Sequence, residues 1–145
     1  MTDTLNRSQA TALTAREKAD LSDLFGAFPA VQAAYVFGSA ATGRRSTRSD
    51  LDLAVWLHDT AESASLRLDL LTELIRRGFD DVDLVVLNEA DLTLQYEALR
   101  PNVLIYATDD FDHPATFSNI LRKYWDFEPY LAAQRAAYKN ELQHG

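Results

Sequence analysis

Asp50 and Asp52 bracket Leu51 at the head of an apolar run, Leu51 to Leu57, and Gly38-Ser39 stands ahead of them with ten residues between. Side chains on a strand alternate between faces, so both carboxylates project to one side while Leu51, Leu53 and Val55 go to the other. Two carboxylates about 6 to 7 Å apart on one strand face repel each other unless a cation sits between them. Mg²⁺ suits that pair, since it prefers hard oxygen ligands and commonly combines one or two carboxylates with substrate phosphates. Gly38 lets the backbone come close to a phosphate, and Ser39 supplies a hydroxyl and an amide donor at the same point. A third carboxylate, Asp83 in the run Asp81-Val-Asp-Leu-Val-Val-Leu87, would complete a two-metal site able to hold the attacking and leaving oxygens of an in-line phosphoryl displacement. Asp81 shares that face by period two, but it lies nearer the strand entrance, where a solvated turn residue is expected. An Asp-x-Asp by itself is common in turns and caps. The joint spacing, between one strand and the next with a third Asp on a later strand, is what points to chemistry.

These residues need a scaffold, and the flanking patterns supply one. Thr14-Ala-Arg-Glu17 has the form of a capping box, opening a helix with Leu21, Leu24, Phe25 and Phe28 at helical spacing. Pro29 marks the turn into a first strand, Ala34 to Phe37, stopped by Gly38, and Leu51 to Leu57 forms a second. A helix is expected over about 61–77, with Leu66, Leu70, Leu74 and Ile75 as its apolar stripe and Gly78 past its end. A third strand, about Val82 to Leu87, ends at Asn88, which is expected to cap a short helix running through about Glu97, with Pro101 closing that region. Val103 to Tyr106 reads as a fourth strand at the sheet edge. From Pro114 onward Phe117, Ile120, Leu121, Tyr124 and Trp125 fall at helical spacing, and Pro129 is expected to kink or break that helix before Leu131 to Leu142. The aromatic set Phe117, Tyr124, Trp125, Phe127, Tyr130 and Tyr138 is expected mainly to pack the tail onto the sheet, with a partner surface as the alternative. The expected fold class is α/β (α+β), a small mixed sheet packed by helices. Residues 1–12 are expected to form a mobile N-terminus, 13–110 the domain proper and 111–145 a helical extension of it.

Composition narrows the functional classes. The chain has 145 residues, 47% of them hydrophobic, enough for one good core. It lacks cysteine, which excludes disulfides and thiolate metal sites. His58, His113 and His144 are scattered without ligand spacing. No apolar stretch approaches the roughly 20 residues that span a bilayer, and the polar N-terminus lacks a signal-peptide pattern, so a cytoplasmic location with no membrane association is expected. The net charge of −8, from 22 acidic and 14 basic residues, repels a phosphate backbone, so stable nucleic-acid binding is not expected.

Gly-Ser, ten intervening residues, Asp-x-Asp and a later strand Asp resemble the polymerase-β-like nucleotidyltransferase superfamily, and within it the minimal nucleotidyltransferases. The resemblance runs from about Phe28 to Asp110. It implies Asp50 and Asp52 as Mg²⁺ ligands, with two ions expected, Asp83 as third ligand or base for the incoming hydroxyl, and Gly38 and Ser39 as binders of the nucleotide phosphates. Family loops often read Gly-Ser-Arg-Ala-Arg-Gly, whereas Ala40 and Thr42 stand here where arginines are common. Arg44, Arg45, Arg48 and Ser49 lie just downstream as further candidates for the nucleotide, and the arginines equally for a partner or an exposed loop. The resemblance further implies transfer of AMP from ATP with pyrophosphate leaving. It also points to the antitoxin half of two-gene toxin–antitoxin pairs, whose partner is a HEPN-domain ribonuclease toxin modified on a tyrosine. The alternatives are a small-molecule acceptor, as in aminoglycoside nucleotidyltransferases, and a module that neutralises its partner by binding alone.

Overall fold

The computed structural model describes residues 13–41 and 51–144. The expectations for residues 1–12 therefore lie outside the described residues. The chain divides into two compact units, Met1–Phe111 and Asp112–Gly145.

The first unit opens with helix α1, Ala15–Gly26. Its capping box forms as the sequence predicts: the Glu17 amide donates to Thr14 Oγ1 at 3.0 Å and the Thr14 amide donates to Glu17 Oε1 at 3.0 Å. Strand β1, Val31–Phe37, begins three residues before the sequence-based start and runs directly into a single helical turn, α2, Gly38–Ala41. Strand β2 spans Leu51–Leu57, helix α3 Ser63–Arg76 and strand β3 Val82–Val86. Gly78, at φ +94°, reverses the chain after α3 and delivers the buried Phe79 into the core. A 3₁₀ turn, Leu87–Glu89, then leads to helix α4, Leu92–Leu99, and strand β4, Val103–Ala107.

The four strands form one mixed sheet in the order β3-β2-β1-β4. β1 is antiparallel to both β2 and β4, while β2 and β3 are parallel. The parallel pair is possible because α3 makes the crossover between its strands. One sheet face presents Ala34, Val36, Leu51, Leu53, Val55 and Leu84 to the buried side chains of α1 and α3, among them Leu21, Leu24, Phe25, Leu70 and Leu74, and this is the main core. Period two then sends Asp52 and Asp83 to the opposite face, where α4 packs against β1.

Asn88 corrects one expectation. Helix α4 is capped by Asp91, whose Oδ1 accepts the Leu94 amide at 2.9 Å. Asn88 instead clasps the end of β2: the Leu57 amide donates to Asn88 Oδ1 and Asn88 Nδ2 donates to the Leu57 carbonyl, both at 2.9 Å. Local sequence offers an Asn before a helical pattern two plausible partners, and the parallel register of β3 on β2 brings the end of β2 within reach first. Asn88→Ala is expected to cost about 1–2 kcal/mol, two net hydrogen bonds, measurable as a lower urea midpoint at unchanged slope.

The second unit is helix α5, His113–His144, 32 residues that continue through Pro129. The expected break is therefore absent: proline removes one intrahelical donor, and the neighbouring turns carry the helix across it. Local pairs support this stretch, including Arg135 with Glu128 at 2.9 Å, Gln134 Nε2 donating to Tyr130 Oη at 2.8 Å, and stacked Phe127 and Tyr130 rings 5.2 Å apart. The reading of the tail aromatics as core fails for four of them. Trp125, Phe127, Tyr130 and Tyr138 are exposed by 62, 39, 55 and 64%. At ~100° per residue Phe127, Tyr130 and Tyr138 fall within an arc of about 80°, with Trp125 on the opposite side, so no single face can bury all four. Among the described residues no helix is long and apolar enough to cross a membrane.

Candidate active site

The strand register assembles the site. Asp52 pairs with Phe37 across the antiparallel β1–β2 ladder and with Asp83 across the parallel β2–β3 ladder. Paired residues on adjacent strands point to the same face, so the half-buried Asp52 and the exposed Asp83 stand side by side. Asp81 precedes β3, and its carbonyl accepts the Leu51 amide at 3.4 Å while its side chain is exposed. That bond aims the backbone of Asp81 at β2. Asp83 is thereby the β3 carboxylate level with Asp52.

Gly38 follows Phe37 directly and adopts φ +67°. A Cβ at this position would overlap Oδ2 of Asp52 and lie 3.0 Å from its Cγ. Glycine is thus required twice, by the left-handed backbone and by the approach of the Asp52 carboxylate. Ala40, fully buried in the main core, anchors the α2 turn from below. The half-buried Ser39 lies in that turn, between Gly38 and Ala40.

The same face of β1 carries Tyr35, opposite Ala54 of β2 and fully buried. Burial pushes its phenol well above the ordinary tyrosine range. His113 lies in the second unit, where burial lowers its imidazole against the opposing pull of Asp112.

Asp50, Arg44, Arg45, Arg48 and Ser49 lie outside the described residues. Asp52 and Asp83 are described, and both supply hard carboxylate oxygens. A carboxylate pair of this kind fits Mg²⁺ bound together with a phosphate. Among the described residues there is no group of three or more His, Asp or Glu side chains placed to hold a metal ion.

The model of the family described as Polymerase beta, Nucleotidyltransferase matches residues 19–111, more than half of the chain. The protein adenylyltransferase MntA of Shewanella oneidensis is 32% identical over 84 residues, 58% of this chain. The match spans 60% of that relative's length. A chain of a crystal structure described as a toxin–antitoxin with AMP-PNP superposes with a TM-score of 0.68 at 26% identity, over 87% of this chain and 98% of that one. A chain of the tri-AMPylated Shewanella oneidensis HEPN toxin in complex with MNT antitoxin has the same fold, with a TM-score of 0.62 at 24% identity over 87% of this chain and 95% of that one.

Proposed function

Because this chain belongs to the polymerase-β nucleotidyltransferase family, we propose that it transfers AMP from ATP to a tyrosine hydroxyl of a HEPN-type ribonuclease toxin and so acts as its antitoxin. The observation that carries the reading is the register of Asp52 against Asp83 with Gly38 closed onto the Asp52 carboxylate. The adenylyltransferase relative at 32% identity supports AMP as the transferred group. The toxin–antitoxin neighbour holding AMP-PNP supports ATP as donor and a toxin as partner. The HEPN class and the tyrosine acceptor follow from the resemblance to minimal nucleotidyltransferases.

In this reading Gly38 and Ser39 hold the triphosphate, with Arg44, Arg45, Arg48 and Ser49 contributing from the residues that follow. Asp52 and Asp83, together with Asp50, would hold Mg²⁺, which supplies neutralisation of charge on the α-phosphate and the departing pyrophosphate. The tyrosine oxygen attacks the α-phosphorus. An O–P bond forms there as the bridge to the β-phosphate breaks. The phenolic proton passes to the Asp83 carboxylate, the more exposed of the two and the one open to an acceptor.

Intact-mass spectrometry of a HEPN-type toxin, after incubation with this chain, Mg²⁺ and ATP, tests the proposal. A gain of one or more AMP units with wild type and none with Asp52→Asn is the expected result. A stable complex with no gain would replace catalysis by neutralisation through binding. With neither gain nor complex, turnover on a panel of small-molecule acceptors becomes the deciding assay.

A further inference from the structure

Asp83 stands on an edge strand. Among the described residues β3 has β2 on one side and no strand on the other, and an edge strand has little to hold its twist and register where only one ladder supports it. The Leu51 amide bonds the Asp81 carbonyl, so the backbone groups of Asp81 and, two residues on, Asp83 point toward β2. Those of Leu84 then point to the open edge, since successive residues of a strand direct their backbone groups to alternate sides. The Leu84 carbonyl is met there by a side chain: Arg67 Nε, reaching across from α3, donates to it at 2.9 Å. Further along, Gln95 Nε2 from α4 donates to the Leu87 carbonyl at 2.9 Å, and Asn88 clasps Leu57. Of these bonds, the one from Arg67 lies nearest Asp83, one residue away along the strand.

We propose that Arg67 is a positioning residue: by holding the outward Leu84 carbonyl it fixes the edge strand so that the Asp83 carboxylate stays level with Asp52. Guanidinium suits this task. Its planar Nε–H points in a fixed direction, and the long side chain spans from a helix to a strand edge without burying a free charge. The inference rests on the role given above to Asp83, and its test therefore includes a readout that does not depend on AMP transfer.

Wild type, Arg67→Met and Arg67→Lys are compared in two measurements, steady-state AMP transfer from Mg²⁺-ATP to the HEPN-type protein and amide hydrogen exchange of the full chain. Arg67→Met is expected to lower kcat by about 10-fold while KM for ATP stays within about twofold, because misplacing a reacting group affects the chemical step more than ground-state nucleotide binding. Amides of residues 82–86 are expected to exchange about 10-fold faster, with those of α1 and β1 unchanged. Arg67→Lys, whose ammonium can reach the same carbonyl, recovers most of both effects. Unchanged exchange in 82–86, or acceleration spread evenly over the chain, overturns the proposal, as does an unchanged kcat in a variant whose β3 has loosened. If wild type transfers nothing, the reading of the site has failed, and the exchange rates alone decide whether Arg67 holds β3. Should Arg67→Met not fold, Arg67→Gln, polar but too short to span the gap, is judged by the same two measurements.

Discussion

Asp52→Asn is expected to lower AMP transfer by roughly 10³-fold or more, with the fold as stable as wild type. Asparagine keeps the shape of the side chain but removes the negative charge that would hold a cation against the α-phosphate. Metal-assisted stabilisation of a phosphoryl transition state is worth several kcal/mol, and each ~1.4 kcal/mol is tenfold in rate. Stability should not suffer, because Asp52 is level with Asp83 across the β2–β3 ladder and removing one of two like charges relieves repulsion. Initial rates from intact-mass spectrometry, with urea denaturation in parallel, provide the check. A variant that modifies its partner as fast as wild type would remove Asp52, and with it the carboxylate pair, from the mechanism.

Gly38→Ala is the second large effect, and it strikes the same carboxylate from the other side. At φ +67° any side chain costs about 1–2 kcal/mol. The added methyl must also displace the carboxylate, since it would overlap Asp52 Oδ2 and stand 3.0 Å from Cγ. A shift of about 1 Å in a catalytic group costs on the order of 10²-fold in rate. Gly78→Ala separates the two consequences. Gly78 also has positive φ, +94°, but it ends α3, away from the carboxylates. It should lose comparable stability and retain activity. Equal activity of the two variants in the AMP-transfer assay, after correction for folded fraction, would mean that the contact between Gly38 and Asp52 has no catalytic consequence.

The elements that position the site were legible because their signals are local. A capping box at Thr14, an apolar stripe through Leu70 and Leu74, and Gly78 past the end of α3 each depend on residues within a few positions of one another. The alternation Leu51-Asp52-Leu53 likewise separates core from site without reference to any distant partner. It was equally clear from period two that Asp83 rather than its flanking valine and leucine leaves the core. The partner of Asn88 and the continuity of the helix through Pro129 are not legible, for the opposite reason. Asn88 chose between a nearby helix and the end of β2, and strand pairing across 31 residues of sequence decided it. Pro129 has a local preference to break a helix, but its cost is one hydrogen bond and some crowding, which the turns on either side outweigh.

The sequence by itself determined which residues could do chemistry and which face of each strand they occupy, because side-chain alternation and helix capping are properties of a few consecutive residues. Only the tertiary structure decided that β3 lies parallel to β2 with Asp83 level with Asp52, that Gly38 closes onto that carboxylate, and that Arg67 reaches the free edge beside it. Each of these depends on the register between segments distant in sequence. Register is set by how the whole core packs, with the buried faces of α1 and α3 admitting one arrangement of the sheet, and no single segment carries that information.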